Sequence, residues 1–391
     1  MEVIKDIRSR KGANLNLKGG AEKILDTTVL PSIFALRPDD FFGTTPKLLL
    51  KEGARVKKGS PIYFSKKNPS IKIVSPVSGI IQNIERGPKR KIEKIVIESS
   101  DIQDSIKHSV SDWEKKNRED LKLLLAESGN WPFIHQRPYG TMANPTDTPK
   151  AIFVSTVKTD PLHVDVQFIL KDQKNDFQLG IDLLNKLVDQ PVFLGVEKIF
   201  SDYFGSIEGV QHYTVQGPHP AGNLSLHIQK LCPLNIGERI WTVNAEDVAN
   251  LGRFISSGIF CSRRTIAISG NAVEHPKYFQ TSIGADLRPF LKKVGIIKEK
   301  IRVVNGDVLT GDTSFDRPFL GYFNNLVSII PEGDKYRMFG WLPFIDNNIL
   351  SLSNTSLSRI FNRKGFDVDT NLNGEERALV VTGEMEKIFP L

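Results

Sequence analysis

The sequence predicts a multidomain α+β protein, and three observations lead there. At 391 residues, and with about 150 residues to a domain, the chain has material for two to four cores. Its composition, 40% hydrophobic and 25% charged, is that of an ordinary globular protein and argues against wholesale disorder or a fibrous repeat. The hydrophobic pattern also changes character along the chain. Short β-runs occupy 1–110, strand–helix alternation 111–258, a compact β-rich module 259–325 and a further strand-rich segment 326–391.

The first unit is carried by residues 44–98, where β-forming runs are cut by turn residues at close spacing. They are Leu48-Leu49-Leu50, Pro61-Ile62-Tyr63-Phe64, Ile71-Lys72-Ile73-Val74, Ile80-Ile81-Gln82-Asn83-Ile84 and Ile92–Ile97. In the last, Ile92, Lys94 and Val96 alternate with Glu93, Ile95 and Ile97, so one face is mostly apolar. Glycines at Gly53, Gly59 and Gly79 make the tight turns. The phrase Glu52-Gly53-Ala54-Arg55-Val56-Lys57-Lys58-Gly59-Ser60-Pro61, followed by Ser75-Pro76-Val77-Ser78-Gly79, resembles the biotinyl/lipoyl barrel-sandwich fold. Such domains often carry a prosthetic group on a hairpin-tip lysine set between small residues or methionines. Here that tip reads Lys66-Lys67-Asn68-Pro69, with no methionine beside either lysine, so a scaffold role is expected rather than a carrier.

Next comes a helix within 113–130. Asn117 is its cap with Asp120 at N3, Leu121, Leu124 and Leu125 form the stripe, and Gly129 is the stop. A non-periodic aromatic loop follows, Trp131 to Gly140, and then a proline-rich link. From Ala151 the spacing predicts strands at Ala151–Thr156, Val192–Val196, Gln211–Val215, Arg239–Val243 and Thr265–Ser269, with helices at Asp176–Val188 and Ala245–Ser257. The second helix is marked by Asn244 as cap, Val248, Leu251, Phe254 and Ile255 on one face, and Gly258 as stop. This alternation predicts a Rossmann-like α/β layer on a largely parallel sheet.

A short helix, Leu287–Val294, then leads to Ile301–Gly311, whose Asn305-Gly306 turn between short β-runs suggests a β-grasp, ubiquitin-like module. Strands at Val327–Ile330 and Arg337–Trp341 and a basic amphipathic piece at Leu357–Lys364 complete the pattern.

Charge is local. Residues 1–100 carry 20 basic and 10 acidic side chains, which leaves 32 basic against 35 acidic for the rest. Two cysteines, Cys232 and Cys261, exclude a disulfide scaffold and a self-contained iron–sulfur cluster. No run approaches the roughly 20 apolar residues of a membrane span, and the N-terminus has no secretory pattern. A cytoplasmic chain is expected.

A dinucleotide site needs glycines directly after the first strand of the α/β layer, so that backbone N–H groups can close on a pyrophosphate. Here Ser155-Thr156-Val157-Lys158-Thr159-Asp160-Pro161 occupies that place, and no Walker-type glycine–lysine loop occurs elsewhere. Gln216-Gly217-Pro218-His219-Pro220-Ala221-Gly222 is the most unusual string. Gly217, His219 and Gly222 would serve an anion-binding turn or a structural corner stiffened by two prolines. His227 is eight residues from His219, with no carboxylate in register, so a helical metal pair is not expected. No catalytic constellation stands out. Two aromatic loops do, Phe34–Gly43 and Trp131–Tyr139. Phe41, Phe42, Arg137, Pro138 and Tyr139 combine ring faces with a cationic donor, which suits a quinone ring or a membrane-embedded partner.

Several strings together resemble one family: Lys11–Gly19, Lys66-Lys67-Asn68-Pro69, Pro76-Val77-Ser78-Gly79, Arg86-Gly87-Pro88-Lys89-Arg90, Arg137-Pro138-Tyr139, Gly217–Gly222 and Gly340-Trp341. They are similar to the A subunits of the sodium-translocating NADH:quinone reductases of bacteria. The resemblance implies a peripheral subunit on the cytoplasmic side of the bacterial inner membrane, partnered by membrane and peripheral subunits and associated with quinone binding. It implies that NADH, flavins and iron–sulfur centres belong to other subunits, that this chain binds no cofactor of its own, and that catalysis belongs to the complex. It also implies kinship with the flavin subunit of respiratory complex I, and the alternative is an independent flavin- or NADH-binding oxidoreductase of that kind. Family members usually continue beyond the region matching Met385–Leu391, so a truncated C-terminus is expected. Nucleic-acid binding through the basic N-terminal quarter lacks a reading helix or an aromatic sheet motif.

Overall fold

The computed structural model describes residues 3–197, 201–313, 318–334 and 365–371. The expected strand Arg337–Trp341 and basic piece Leu357–Lys364 lie outside the described residues, as does most of 326–391.

Strands buried along most of their length build a seven-stranded sheet with two covered faces. Its order is Val3–Arg8, Gln211–Gln216, Val192–Glu197, Ile152–Ser155, Ile240–Asn244, His135–Arg137 and Thr141–Met142. The first five are mutually parallel and the last two antiparallel. Successive side chains of a strand point to opposite faces. Ile152, Val154, Leu194 and Val243 accordingly enter the main core, which includes Phe177, Leu184, Val248 and Leu251 from the helices Lys174–Leu187 and Ala245–Ser257. Phe153, Phe193, Tyr213 and Ile240 form a second cluster with Ile228 of the helix Leu224–Leu231. The two large helices touch backbone to backbone at Gly180 and Gly252. A side-chain carbon on Gly180 would sit 2.0 Å from the Val248 carbonyl oxygen, and one on Gly252 would sit 1.8 Å from that of Asp176.

Caps fall where the sequence places them. The Asn117 side chain accepts the Asp120 N–H at 2.8 Å to start Arg118–Glu127, and Gly258 closes Ala245–Ser257 in the left-handed region at φ 74°.

A four-stranded sheet (Ile33–Leu36, Ile92–Ser99, Gly79–Arg86, Arg55–Val56) and a three-stranded one (Pro46–Leu48, Pro61–Ser65, Asn68–Val74) share one apolar core through Ile62, Tyr63, Ile73, Ile81, Ile95 and Ile97. The simple alternation expected for Ile92–Ile97 is interrupted. Glu85 pairs with Lys94 while Arg86 pairs with Ile92, and this slip places both Ile92 and Ile95 inside.

A six-stranded sheet follows in the order Asp312–Thr313, Ile301–Asn305, Leu326–Pro331, Arg263–Ser269, Lys277–Ser282, Glu22–Asp26. The helix Arg288–Val294 is inserted after Lys277–Ser282 and buries Phe290 and Val294. The N-terminal segment, grouped by sequence with 1–110, thus lends Val3–Arg8 to the seven-stranded sheet and Glu22–Asp26 to the six-stranded one.

Candidate functional site

The aromatic loops come together, but not as one exposed slot. Phe41 is buried, its ring centroid 4.7 Å from that of Tyr322, 5.5 Å from Phe323 and 6.3 Å from Tyr63. This corrects the expectation that Phe41 offers a face to a ligand. After the one-turn helix Pro38–Asp40, the Phe41 N–H bonds back to Pro38, and the ring closes the core between the barrel-sandwich sheets and the six-stranded sheet. Phe42, one residue on, is 71% exposed. The second loop divides likewise. Trp131 and Phe133 are buried, Trp131 edge-on to Trp241 at 5.4 Å and Phe133 stacked on Phe260 at 6.0 Å, whereas Tyr139 is 62% exposed under the Arg239 guanidinium.

The loops meet where a side-chain carbon on Gly43 would lie 3.3 Å from Thr141 Cγ2. Phe42 and the turn Arg137-Pro138-Tyr139, which contains a cis bond before Pro138, therefore share one end of the molecule. Arg137 is half-buried and its Nε finds no protein acceptor among the described residues. Burial pushes its guanidinium below its usual pKa, though it stays cationic at neutral pH. His135, edge-on to Phe323 at 4.5 Å, is pushed down to about 4 by burial, with the Arg137 charge adding to the effect, so it is neutral. Sequence reasoning missed His135, Arg239 and Phe323. The first was in plain view inside the aromatic loop. The other two are distant in sequence, and nothing local announces them.

Gly217, His219 and Gly222 hold the N-terminal segment. The Ser9 N–H bonds to the Gln216 carbonyl at 2.9 Å and the Ala13 N–H to that of His219 at 2.9 Å. Gly217, at φ 138°, passes so close that a side-chain carbon there would be 2.3 Å from the Ser9 carbonyl oxygen. His219 is buried with Nδ1 3.3 Å from Thr159 Oγ1, which also accepts the Gly222 N–H at 2.9 Å. His227 is taken by the Tyr213 hydroxyl at 3.0 Å and the Ala221 carbonyl at 2.7 Å.

Beside this corner, past the carboxyl ends of the parallel strands, lies a cleft of about 800 Å³ walled by Asn16, Leu17, Lys158, His163, Glu197 and Tyr278. That is where open α/β sheets bind ligands. Burial raises the Glu197 carboxyl, against the pull of nearby His163. Its wall at Val157–Asp165 contains Pro161 and a left-handed Leu162 (φ 58°) rather than a glycine cradle.

A buried ion cluster joins the α/β layer to the six-stranded sheet. Arg264, fully buried, donates to Asp247 Oδ1 at 2.5 Å and to the Tyr322 carbonyl at 2.9 Å, with Glu246 at 3.7 Å. Burial raises both carboxyl pKa values, while the guanidinium opposes that shift. Cys261 donates to Asn250 Oδ1 at 3.1 Å, and Cys232 is half-buried with its thiol pushed up by burial. Among the described residues no three His, Cys, Asp or Glu side chains gather as a metal site, and no helix is long and apolar enough to cross a membrane.

Three family models match in order along the chain: the NqrA N-terminal barrel-sandwich hybrid domain over 7–100, the NqrA second alpha/beta domain over 116–260, and the NQRA C-terminal domain over 265–315. The NqrA protein of the Na(+)-translocating NADH-quinone reductase of Photorhabdus laumondii is 32% identical over 390 residues, 98% of this chain and 86% of that protein. Its counterpart in Rhodopirellula baltica is 33% identical over 392 residues, 98% of this chain and 85% of that protein. The chain belongs to the NqrA family. Its N-terminal unit is accordingly a barrel-sandwich hybrid domain. A chain of an NAD+-reducing [NiFe]-hydrogenase aligns with 57% of this NqrA family member and 51% of its own length at 11% identity and TM-score 0.38, a likeness too remote to argue from.

Proposed function

We propose that this chain is a peripheral subunit of a sodium-translocating NADH:quinone reductase, seated at the cytoplasmic face of the membrane. It assembles with the membrane and other peripheral subunits of the complex, which carry the NADH, flavin and iron–sulfur chemistry. The observation that carries this reading is family membership across 98% of the chain, with the three domain matches in order. Within it, the parallel-cored sheet is a Rossmann-like layer turned to scaffold use, and the six-stranded sheet with its single helix is a β-grasp module.

The contribution to quinone binding falls to Phe42, Arg137, Pro138 and Tyr139, with Phe41 as the anchor that holds the Phe42 loop. Two exposed rings supply flat apolar faces, and the half-buried Arg137 guanidinium beside them supplies the cationic donor for a quinone carbonyl. Gly217, His219 and Gly222 serve as the structural corner that fastens the N-terminal segment.

The test is assembly. Expressed with the other subunits, the chain co-purifies from membranes with NADH:quinone activity, and Tyr139→Ala raises the KM for quinone without lowering the yield of complex. An unchanged KM in both Tyr139→Ala and Phe42→Ala removes the quinone part of the proposal. The alternative, an independent flavin- or NADH-binding oxidoreductase, is favoured by the position of the 800 Å³ cleft. It predicts that the purified chain retains a flavin absorption band, and a colourless chain with no NADH oxidation contradicts it.

A further inference from the structure

We propose that the end of the barrel-sandwich domain bearing Phe42 is a docking surface for an anionic phospholipid bilayer. The loop that carries Phe42 lies between two basic hairpin tips. On one side the Lys66 N–H bonds to the Thr45 carbonyl at 2.9 Å, which brings up the tip Lys66-Lys67. On the other, Lys91 Nζ pairs with Asp39 at 2.7 Å, which brings up the tip Lys89-Arg90-Lys91. All five cations are exposed. Among the described residues only Lys91 of the five has a carboxylate partner, Asp39.

The second tip is unusual in its backbone. Lys89 (φ 55°) and Arg90 (φ 59°) are consecutive left-handed residues, a conformation that glycine or asparagine takes more easily than either. Two long basic side chains stand at an apex whose geometry does not favour them, which points to a use for the charge.

Two exposed rings, Phe42 and Tyr139, and a rim of cations make the combination that suits a membrane interface. Aromatic rings settle at the depth of the headgroups, and Lys and Arg reach anionic phosphates while their apolar stems lie along the boundary. An acidic protein surface would satisfy the cations but would need a fitted pocket for each ring on a convex loop tip. The bilayer needs none.

The proposal rests on the reading of the chain as a peripheral subunit of a membrane complex, and its test lets the two fail separately. The full chain is sedimented with vesicles of phosphatidylcholine alone and of phosphatidylcholine mixed with phosphatidylglycerol, across a range of salt. Binding is expected only to the anionic vesicles, weakening steeply with ionic strength. Each basic residue at such a surface contributes roughly a fivefold factor. Lys66→Gln, Lys67→Gln, Lys89→Asn and Arg90→Asn combined should therefore lower the partition coefficient by about a hundredfold or more, with the circular dichroism melt unchanged. Phe42→Ser should weaken binding while preserving its salt dependence.

Equal binding to neutral and anionic vesicles, no binding, or undiminished binding by the fourfold variant overturns the proposal. So does a fourfold variant that keeps its vesicle affinity yet drops out of the detergent-solubilised complex, which would assign these residues to an acidic protein partner. Vesicle binding by a wild-type chain that never joins the complex would support this inference and refute the assembly reading instead.

Discussion

Adjacent phenylalanines offer the sharpest test of how the site is built. Phe41 contacts three aromatic rings at centroid distances of 4.7, 5.5 and 6.3 Å and is 2% exposed, while Phe42 is 71% exposed. Phe41→Ala removes a buried ring and leaves a cavity among side chains from distant parts of the chain, at a cost of about 3–5 kcal/mol. With a urea dependence of about 3 kcal/mol/M, that is a fall of about 1–1.7 M in the unfolding midpoint. Phe42→Ala gives up almost no buried area, and its expected effect on stability is within about 0.5 kcal/mol. Its effects belong instead to the KM for quinone of the assembled complex and to the membrane contact proposed above. Urea unfolding followed by tryptophan fluorescence reports on the right core, since Trp131 and Trp241 lie 5.4 Å apart within it. If the two substitutions lower the midpoint equally, or Phe41→Ala leaves it in place, the division between anchor and exposed face is wrong.

The ion cluster should be fragile on one side. Asp247→Ala leaves the fully buried Arg264 with the more distant Glu246 as its carboxylate partner beside the neutral Tyr322 carbonyl, and a loss of about 3–5 kcal/mol is expected in the same urea assay, against little change for the exposed pair at Lys57 and Asp104. Gly180→Ala should force the two large helices apart, because a carbon there would sit 2.0 Å from the Val248 carbonyl oxygen. The expected result is a lowered midpoint, with no loss from the control Gly20→Ala, whose surroundings are open. Asp26 is held well below the usual carboxylate range by hydrogen bonds from Thr28 and by Lys277. A depressed folded pKa stabilises above the unfolded value of about 3.9 and loses that contribution as pH falls through the folded value. Asp26→Asn should therefore trail wild type by a constant margin between about pH 5 and 8 and close the gap below about pH 4 in a stability titration.

Much of the local structure was legible because it is decided locally. Asn117 with Asp120, and Gly258 after an amphipathic stripe, mark helix ends through bonds that span only a few residues. The strands at 152–155, 192–197 and 240–244 announce themselves by largely apolar runs, as strands covered on both faces do. What long-range pairing decides was not legible. Val3–Arg8 and Glu22–Asp26 carry no mark of the two sheets they join, since a strand edge is sequence-blind until its partner is placed. Phe41 and Phe42 are chemically identical neighbours, and the Tyr63, Tyr322 and Phe323 rings, distant in sequence, choose between them. Arg264 sits in a strand beside Arg263, and its complete burial depends on a helix N-terminus that supplies Glu246 and Asp247. The basic string Arg86–Lys91 was plain as charge, but its strained apex and its position beside Phe42 needed the fold.

The central claim is that this chain works as part of a membrane-bound reductase and not alone. The most direct measurement is reconstitution: membranes carrying the other subunits, with and without this chain, assayed for NADH-driven quinone reduction and sodium uptake into sealed vesicles. The account predicts that quinone reduction and sodium transport both require the chain, which by itself neither oxidises NADH nor holds a flavin. Full activity without it, or NADH oxidation by the chain alone, would contradict the account.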